Sequence, residues 1–214
     1  MSEYQFTVAW FSPLIQSVWN SIVPQQNPKT FLEVGSFEGR SATWIINKFS
    51  RIRDIEMHCI DTWAGCDDNK LLDIDFKVIE ERFKHNIEIA LKENPFKTDF
   101  HVHKGTSNME LAKLYVNGFA DYFDVIYIDA DHSANGCLSD MVMAWKLLKH
   151  SGLMIIDDYL FAIPNRPRWD VPKTGADAFV NIYVDTVWLE TAPNNQLYIR
   201  KIKPNDLVWG DKTF

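Results

Sequence analysis

The sequence predicts an α/β protein: a doubly wound, mostly parallel sheet of seven strands with helices on both faces, ending in an antiparallel hairpin. Three observations predict it. Short apolar runs alternate with amphipathic helical stretches from residue 30 to residue 156. The runs at 122–128 and 153–156 are almost continuously apolar, as strands covered on both faces are. The last two extended runs, 187–190 and 197–201, are separated only by residues 191–196, too few for a crossover, so they must pair antiparallel.

Each element has a local reason. Leu14, Ile15, Val18, Trp19 and Ile22 recur at helical spacing, and the stretch from Pro24 to Pro28 ends that helix before a strand at 30–34. Trp44, Ile45, Ile46 and Phe49 mark a second helix, followed by a strand at 56–60. A loop with Asp61, Gly65, Asp67 and Asp68 leads into a long helix at 74–91, with Phe76, Ile79, Phe83 and Ile87 on one face. A third strand covers 100–103, and Ser107-Asn108-Met109-Glu110 reads as a capping box opening the helix that holds Leu111 and Leu114. After the strand at 122–128, a helix at 135–150 buries Leu138, Met141, Val142, Trp145 and Leu148, and Gly152 stops it before the strand at 153–156. A loop with Pro164, Arg166, Pro167, Arg168, Trp169 and Pro172 precedes a helix near 175–184 and the final hairpin.

The 214 residues suit one domain, with a helical segment at 1–29 and a core at 30–202. A hydrophobic content of 46% and a charged content of 24% exclude a disordered, collagenous or coiled-coil chain. The net charge of −7 argues against a nucleic-acid partner, which needs a cationic surface. Met1-Ser2-Glu3 does not begin a secretory signal and no apolar run reaches spanning length, so a cytoplasmic protein without a membrane partner is expected. Cys59, Cys66 and Cys137 lack metal-ligand spacing and read as reduced thiols.

Two places carry chemistry. In Glu33-Val34-Gly35-Ser36-Phe37-Glu38-Gly39-Arg40-Ser41 a strand enters a helix through a turn with two glycines, where a ligand can approach the backbone. This is not the dinucleotide fingerprint, and Glu33 and Glu38 would repel a pyrophosphate. They suit a cation, such as a sulfonium bearing an α-amino group. Asp61, at the end of the second strand, can accept hydrogen bonds from ribose hydroxyls.

The second place is acidic. Asp129 ends one buried strand and Asp157-Asp158 the next. If these strands are neighbours, their tips lie roughly 5 Å apart and the three carboxylates need a cation between them. A hard ion such as Mg²⁺ suits such oxygens. Capping competes for these residues: Asp157 and Asp158 can cap the next segment of the chain, and Asp131 can cap the helix beginning near Ser133. His132 stands beside the cluster and, near a cation, would be held neutral and able to accept a proton; a helix-start role bonded to backbone is its structural alternative.

These residues resemble the class I S-adenosylmethionine-dependent methyltransferases, with their Rossmann-like fold, over roughly residues 30 to 200. The resemblance implies that Glu33, Gly35, Ser36, Gly39 and Ser41 hold the methionine part of the donor, and that Asp61, Thr62 and Trp63 lie at its ribose and adenosine. It also implies that Gly105, Thr106 and Ser107 line the adenine pocket, although capping explains that turn equally well. The acid pattern is similar to that of the metal-dependent small-molecule O-methyltransferases of the catechol and sugar or macrolide types. It implies Asp129, Asp157 and Asp158 as metal ligands, with His132 and Asp129 catalytic and Asp129 also against the methyl donor. Asp158 in place of the catechol type's Asn, and His132 in place of its Lys, point to the sugar and natural-product branch.

The reaction this implies is methyl transfer to a small-molecule hydroxyl. Tyr159, Phe161, Trp169 and the prolines of the 160–173 loop can form a lid that excludes water, and Arg166 and Arg168 can meet an anionic acceptor, although a solvated face is the preferred reading. A metal-independent methyltransferase, a nicotinamide oxidoreductase and a non-catalytic nucleoside-binding module are the rival readings. His101 and His103 share one strand face without an acidic or cysteine partner nearby, and with His58, His85 and His150 they read as structural. The first helix can pack on its own sheet or on a second subunit in a homo-oligomer.

Overall fold

In a computed structural model, residues 3–65, 75–161 and 167–204 are described. Cys66, Asp67, Asp68, Pro164 and Arg166 lie outside the described residues. The strands are β1 (Thr30–Val34), β2 (Ile55–Asp61), β3 (Thr98–Lys104), β4 (Phe123–Ile128), β5 (Leu148–Ile156), β6 (Val187–Glu190) and β7 (Leu197–Lys201), and the helices α1 (Pro13–Ile22), α2 (Arg40–Phe49), α3 (Phe76–Glu93), α4 (Ser107–Val116), α5 (Ala134–Leu147) and α6 (Pro172–Ile182).

The sheet order is β3-β2-β1-β4-β5-β7-β6. β1 to β5 are parallel, and β7 runs antiparallel between β5 and β6. The chain reverses its direction of growth between β1 and β4, and in open α/β sheets the crevice at such a reversal is where ligands bind. Strand alternation divides the core in two. Phe31, Met57, Val125, Tyr127 and Ile155 face α1, α2 and α3, while Leu32, Ile60, Ile126, Ile128 and Met154 face α4, α5 and α6.

The first helix packs on its own sheet. Trp19 is fully buried with its ring edge-on to Tyr127, 4.9 Å between centroids, and its Nε1–H donates to Gln196 at 2.9 Å. Truncating an aromatic buried this well costs about 3–5 kcal/mol, so α1 is part of the core. Ser12 caps it by accepting from the Ile15 amide.

Two local expectations are corrected. The capping box at 107–110 does not form: Thr106 occupies the N-cap position without a side-chain cap, and Ser107 is already helical. Glu110 pairs instead with Lys113 at 2.7 Å. Helix α5 also ends at Leu147, earlier than the pattern suggests, and Gly152 does not stop it. Leu148 already pairs with Phe123, and the ladder resumes only at Val125 and Leu153, so residues 149–152 bulge out of register. Ser151, at φ +66°, makes that bulge possible.

Candidate active site

The tips of β1, β2, β4 and β5 build the site. Gly35 follows β1 at φ +89°, and a Cβ there would stand 2.0 Å from the Asp129 carbonyl oxygen. Only glycine allows the turn to press against the tip of β4. Asp61 ties this turn to β2: its Oδ2 accepts from the Ser36 and Phe37 amides at 2.8 and 2.9 Å, and its Oδ1 from the Trp63 amide at 2.7 Å. Gly39 is the N-cap of α2 at φ +76°.

Glu33 is buried beneath this turn. It accepts from Ser41 Oγ at 2.5 Å and contacts Cys59 Sγ at 3.5 Å. Burial is the main cause that lifts its carboxyl to about 7, against the hydrogen bonds that favour the charged form. Among the described residues no Lys, Arg or His pairs with it. Glu38 behaves differently from the sequence reading. Its carboxylate accepts from the Thr7 amide and hydroxyl, both at 2.7 Å, and pairs with Arg82 at 3.0 Å. It is already neutralised by the N-terminal segment and α3, which leaves Glu33 as the carboxylate suited to a cationic ligand.

The other residues expected around a nucleoside have mixed surroundings. Trp63, at φ +47°, is buried: its Nε1–H donates to the Phe37 carbonyl at 3.0 Å and its ring packs on Phe83. Thr62 Oγ1 accepts from the Ala64 amide at 3.1 Å. The Gly105 amide donates to the Asp61 carbonyl at 3.0 Å, which sets the start of α4 beside the tip of β2.

The acids gather around Asp129 in two groups. On one side the Tyr127 hydroxyl bonds both Asp129 Oδ2, at 3.0 Å, and Asp157 Oδ2. Tyr127 pairs with Ile155, so the residues two further along, Asp129 and Asp157, fall side by side on that face. On the other side His132 Nε2 lies 3.5 Å from Asp129 Oδ1 and 3.3 Å from Asp158 Oδ2. Asp129, His132 and Asp158 each offer one ligand atom, all within 4.8 Å of one another. Asp157 is outside that group: its Oδ1 accepts from the Asp158 amide at 2.8 Å. Asp158, at φ +52°, adopts the left-handed conformation that turns its side chain away from Asp157 and toward His132.

Partial burial and the neighbouring Asp157 charge raise the Asp129 carboxyl above the ordinary carboxylate range, and His132 opposes the rise. The same carboxylates, with burial as the leading cause, push the Tyr127 phenol well above its ordinary range. The side chains of Asp129 and Asp158 are each 33% exposed, so solvent and solutes reach them. Asp131 accepts from the Ser133 amide at 2.8 Å, and Ser133 itself caps α5. Phe161 reaches the site as an edge-on neighbour of His132, at 6.3 Å. Trp169 is exposed, and Tyr159 hydrogen-bonds Asp177 at 2.7 Å.

Tyr127 is the functional candidate that the sequence reading passed over. Its signal was present: a polar hydroxyl in an otherwise apolar strand, two residues before Asp129 and therefore on the same face.

Residues 32–159, which contain all of these strand tips, match the family model for a methyltransferase domain. The chain belongs to this methyltransferase family. A sequence comparison with curated proteins gives no match. Solved structures share the fold of the methyltransferase. An O-methyltransferase from Bacillus cereus in complex with SAH superposes with a TM-score of 0.62 at 19% identity, covering 94% of this chain and 84% of its own. The O-methyltransferase TomG from Streptomyces achromogenes, in complex with SAM, gives 0.60 at 15% identity, covering 88% and 80%. The MycE methyltransferase of the mycinamycin pathway, in complex with Mg and SAH, gives 0.58 at 16% identity, covering 98% of this chain and 54% of its own. No helix among the described residues of the methyltransferase is long and apolar enough to cross a membrane.

Proposed function

We propose that this methyltransferase is a single-domain, cytoplasmic O-methyltransferase that uses S-adenosylmethionine and a divalent cation to methylate a hydroxyl of a small molecule. The observation that carries the reading is the contact of Gly35 with Asp129. It sets a glycine turn, with a buried carboxylate beneath it that has no cationic partner among the described residues, directly against an acid and histidine cluster. The donor complexes of the Bacillus cereus protein and TomG, and the magnesium in MycE, support the choice of ligands.

The residues fit both groups. Glu33, buried with no cationic partner among the described residues, suits the donor's positively charged end, and Asp61 stands where ribose hydroxyls can add to its hydrogen bonds. Asp129 and Asp158 supply hard oxygen ligands for a cation such as Mg²⁺, and Asp157, through Tyr127, orients Asp129. When bound, the donor supplies an electrophilic methyl group and the cation makes an acceptor hydroxyl more acidic. His132 accepts the hydroxyl proton at an imidazole nitrogen, and Phe161 shields the imidazole on one side. The strand tips hold the reacting groups in one orientation, which can supply about 7–11 kcal/mol of the barrier reduction in a two-substrate transfer.

The test is transfer of labelled methyl from S-adenosylmethionine to a panel of hydroxylated small molecules, with and without EDTA. His132→Ala is expected to lower turnover by roughly 10²-fold or more while donor binding persists, and Asp129→Ala to abolish activity and cation binding at the Asp129 cluster in a folded protein. Full turnover after metal removal would disprove the metal's part, and an unchanged rate in His132→Ala would remove its role as base.

A further inference from the structure

On the sheet face that carries α4 and α5, β2 and the edge strand β3 assemble a cluster that methyl transfer does not use. The parallel register pairs His58 with His101 and Glu56 with Asp99. Two-residue alternation then places Glu56, His58, His101 and His103 on one face. The expectation that His101 lacks an acidic partner nearby is corrected: within β3 its Nε2 lies 3.6 Å from Asp99 Oδ1. The sheet supplies a second acid, Glu56, from β2.

Glu56, His58 and His101 each offer one ligand atom, and these atoms lie within 4.8 Å of one another. Glu56 Oε1 is 2.8 Å from His58 Nε2. The groups that orient metal ligands are also in place. The Tyr122 hydroxyl donates to the second Glu56 oxygen at 2.6 Å, and His58 Nδ1 lies 2.9 Å from His103 Nε2. Such outer partners fix ligand rotamers and tautomers, and they commonly set metal affinity within a factor of about 10–100. Phe119 and Phe123 flank the His58 ring and hold it against the sheet.

We propose that Glu56, His58 and His101 form a second metal site, for a zinc ion, that pins the edge strand β3 to β2. Two imidazoles and one carboxylate are a borderline-soft donor set that suits Zn²⁺, whereas Mg²⁺ prefers oxygen alone. A water takes the fourth tetrahedral position. Zinc on His58 Nε2 leaves the ring proton on Nδ1, where His103 Nε2 accepts it. His101 is 41% exposed and gives the ion access from solvent. An open depression lined by Lys29, Asp54, Glu56, Lys97 and Asp99 adjoins the site, and Lys97 is turned to Asp99 at 3.9 Å. The cluster starts from the opposite end of the strands to the Asp129 group, so this proposal stands independently of the methyl-transfer reading.

The experiment titrates chelator-stripped full-length protein with Zn²⁺, and with Co²⁺ as a spectroscopic probe, in the wild type, Asp129→Asn, His101→Ala and Glu56→Gln. Asp129→Asn is expected to retain one tightly bound zinc and the visible band of tetrahedral cobalt. His101→Ala, at a partly exposed position, and Glu56→Gln, nearly isosteric, should each weaken that zinc by roughly 100-fold or more. Both should also lose the band and the rise in melting temperature that zinc gives. An Asp129→Asn protein that binds no zinc, or wild-type affinity in either of the other variants, overturns the proposal.

Discussion

The hydroxyl of Tyr127 lies 3.0 Å from Asp129 Oδ2 while also bonding Asp157. A phenol has one proton to donate, so one of these contacts is complete only when a carboxyl of the pair carries a proton, in keeping with the upward shift of Asp129. Tyr127 therefore spaces two acids that would otherwise repel.

Replacing Tyr127 with Phe removes that bridge and keeps the ring against Trp19. Stability is expected to fall by about 1–2 kcal/mol, read as a lower denaturation midpoint. The divalent-cation concentration for half-maximal turnover should rise roughly 10-fold to 100-fold as Asp129 loses its orientation. An unchanged cation requirement would reduce Tyr127 to a packing residue.

Gly35→Ala introduces two conflicts at once, a side chain at φ +89° and a Cβ 2.0 Å from the Asp129 carbonyl oxygen. The left-handed backbone alone costs about 1–2 kcal/mol, and the turn must also withdraw from β4. SAH binding, followed by calorimetry, is expected to weaken at least tenfold, with the chain still folded. Wild-type affinity would show that the turn is not part of the donor site.

Glu33 makes binding and stability depend on pH in opposite ways. With its folded value near 7 against an ordinary 4.5, its carboxyl supports the ligand-free fold most below about pH 4.5, and that support is lost as the pH rises through 7. Cys59, Asp61 and Tyr127 are titratable neighbours, and the Asp61 charge adds to the upward shift. Glu33→Gln should therefore gain on the wild type in melting temperature between pH 5 and 8, by the equivalent of about 3 kcal/mol at most. An ammonium ligand draws out the ionised form, so SAH binding below pH 7 should release a proton. Calorimetry in two buffers of different ionisation enthalpy detects it, and absence of proton release would place the amino group elsewhere.

The parts legible in the sequence are those governed by short-range periodicity. The strand at 30–34 and the hairpin strands at 187–190 and 197–201 stand where their patterns place them, because apolar alternation and a brief connection leave one geometry open. The boundary near Leu148 was ambiguous, since its spacing from Trp145 also fits a helix; pairing with Phe123 decided for strand. Glu110 shows the same limit, because Lys113 and the space beside Gly105 draw it from the cap.

By itself the sequence determined the alternating elements, the glycine turn and the acids at strand ends, all of which arise from the period of burial along a chain. Tertiary structure decided which acids meet. It turned Asp158 to His132 and Asp157 to Tyr127, gave Glu38 to Thr7 and Arg82, and set Glu56 beside two histidines. Those partnerships depend on strand order, register and single left-handed residues, which join positions far apart in the chain and leave no periodic trace within it.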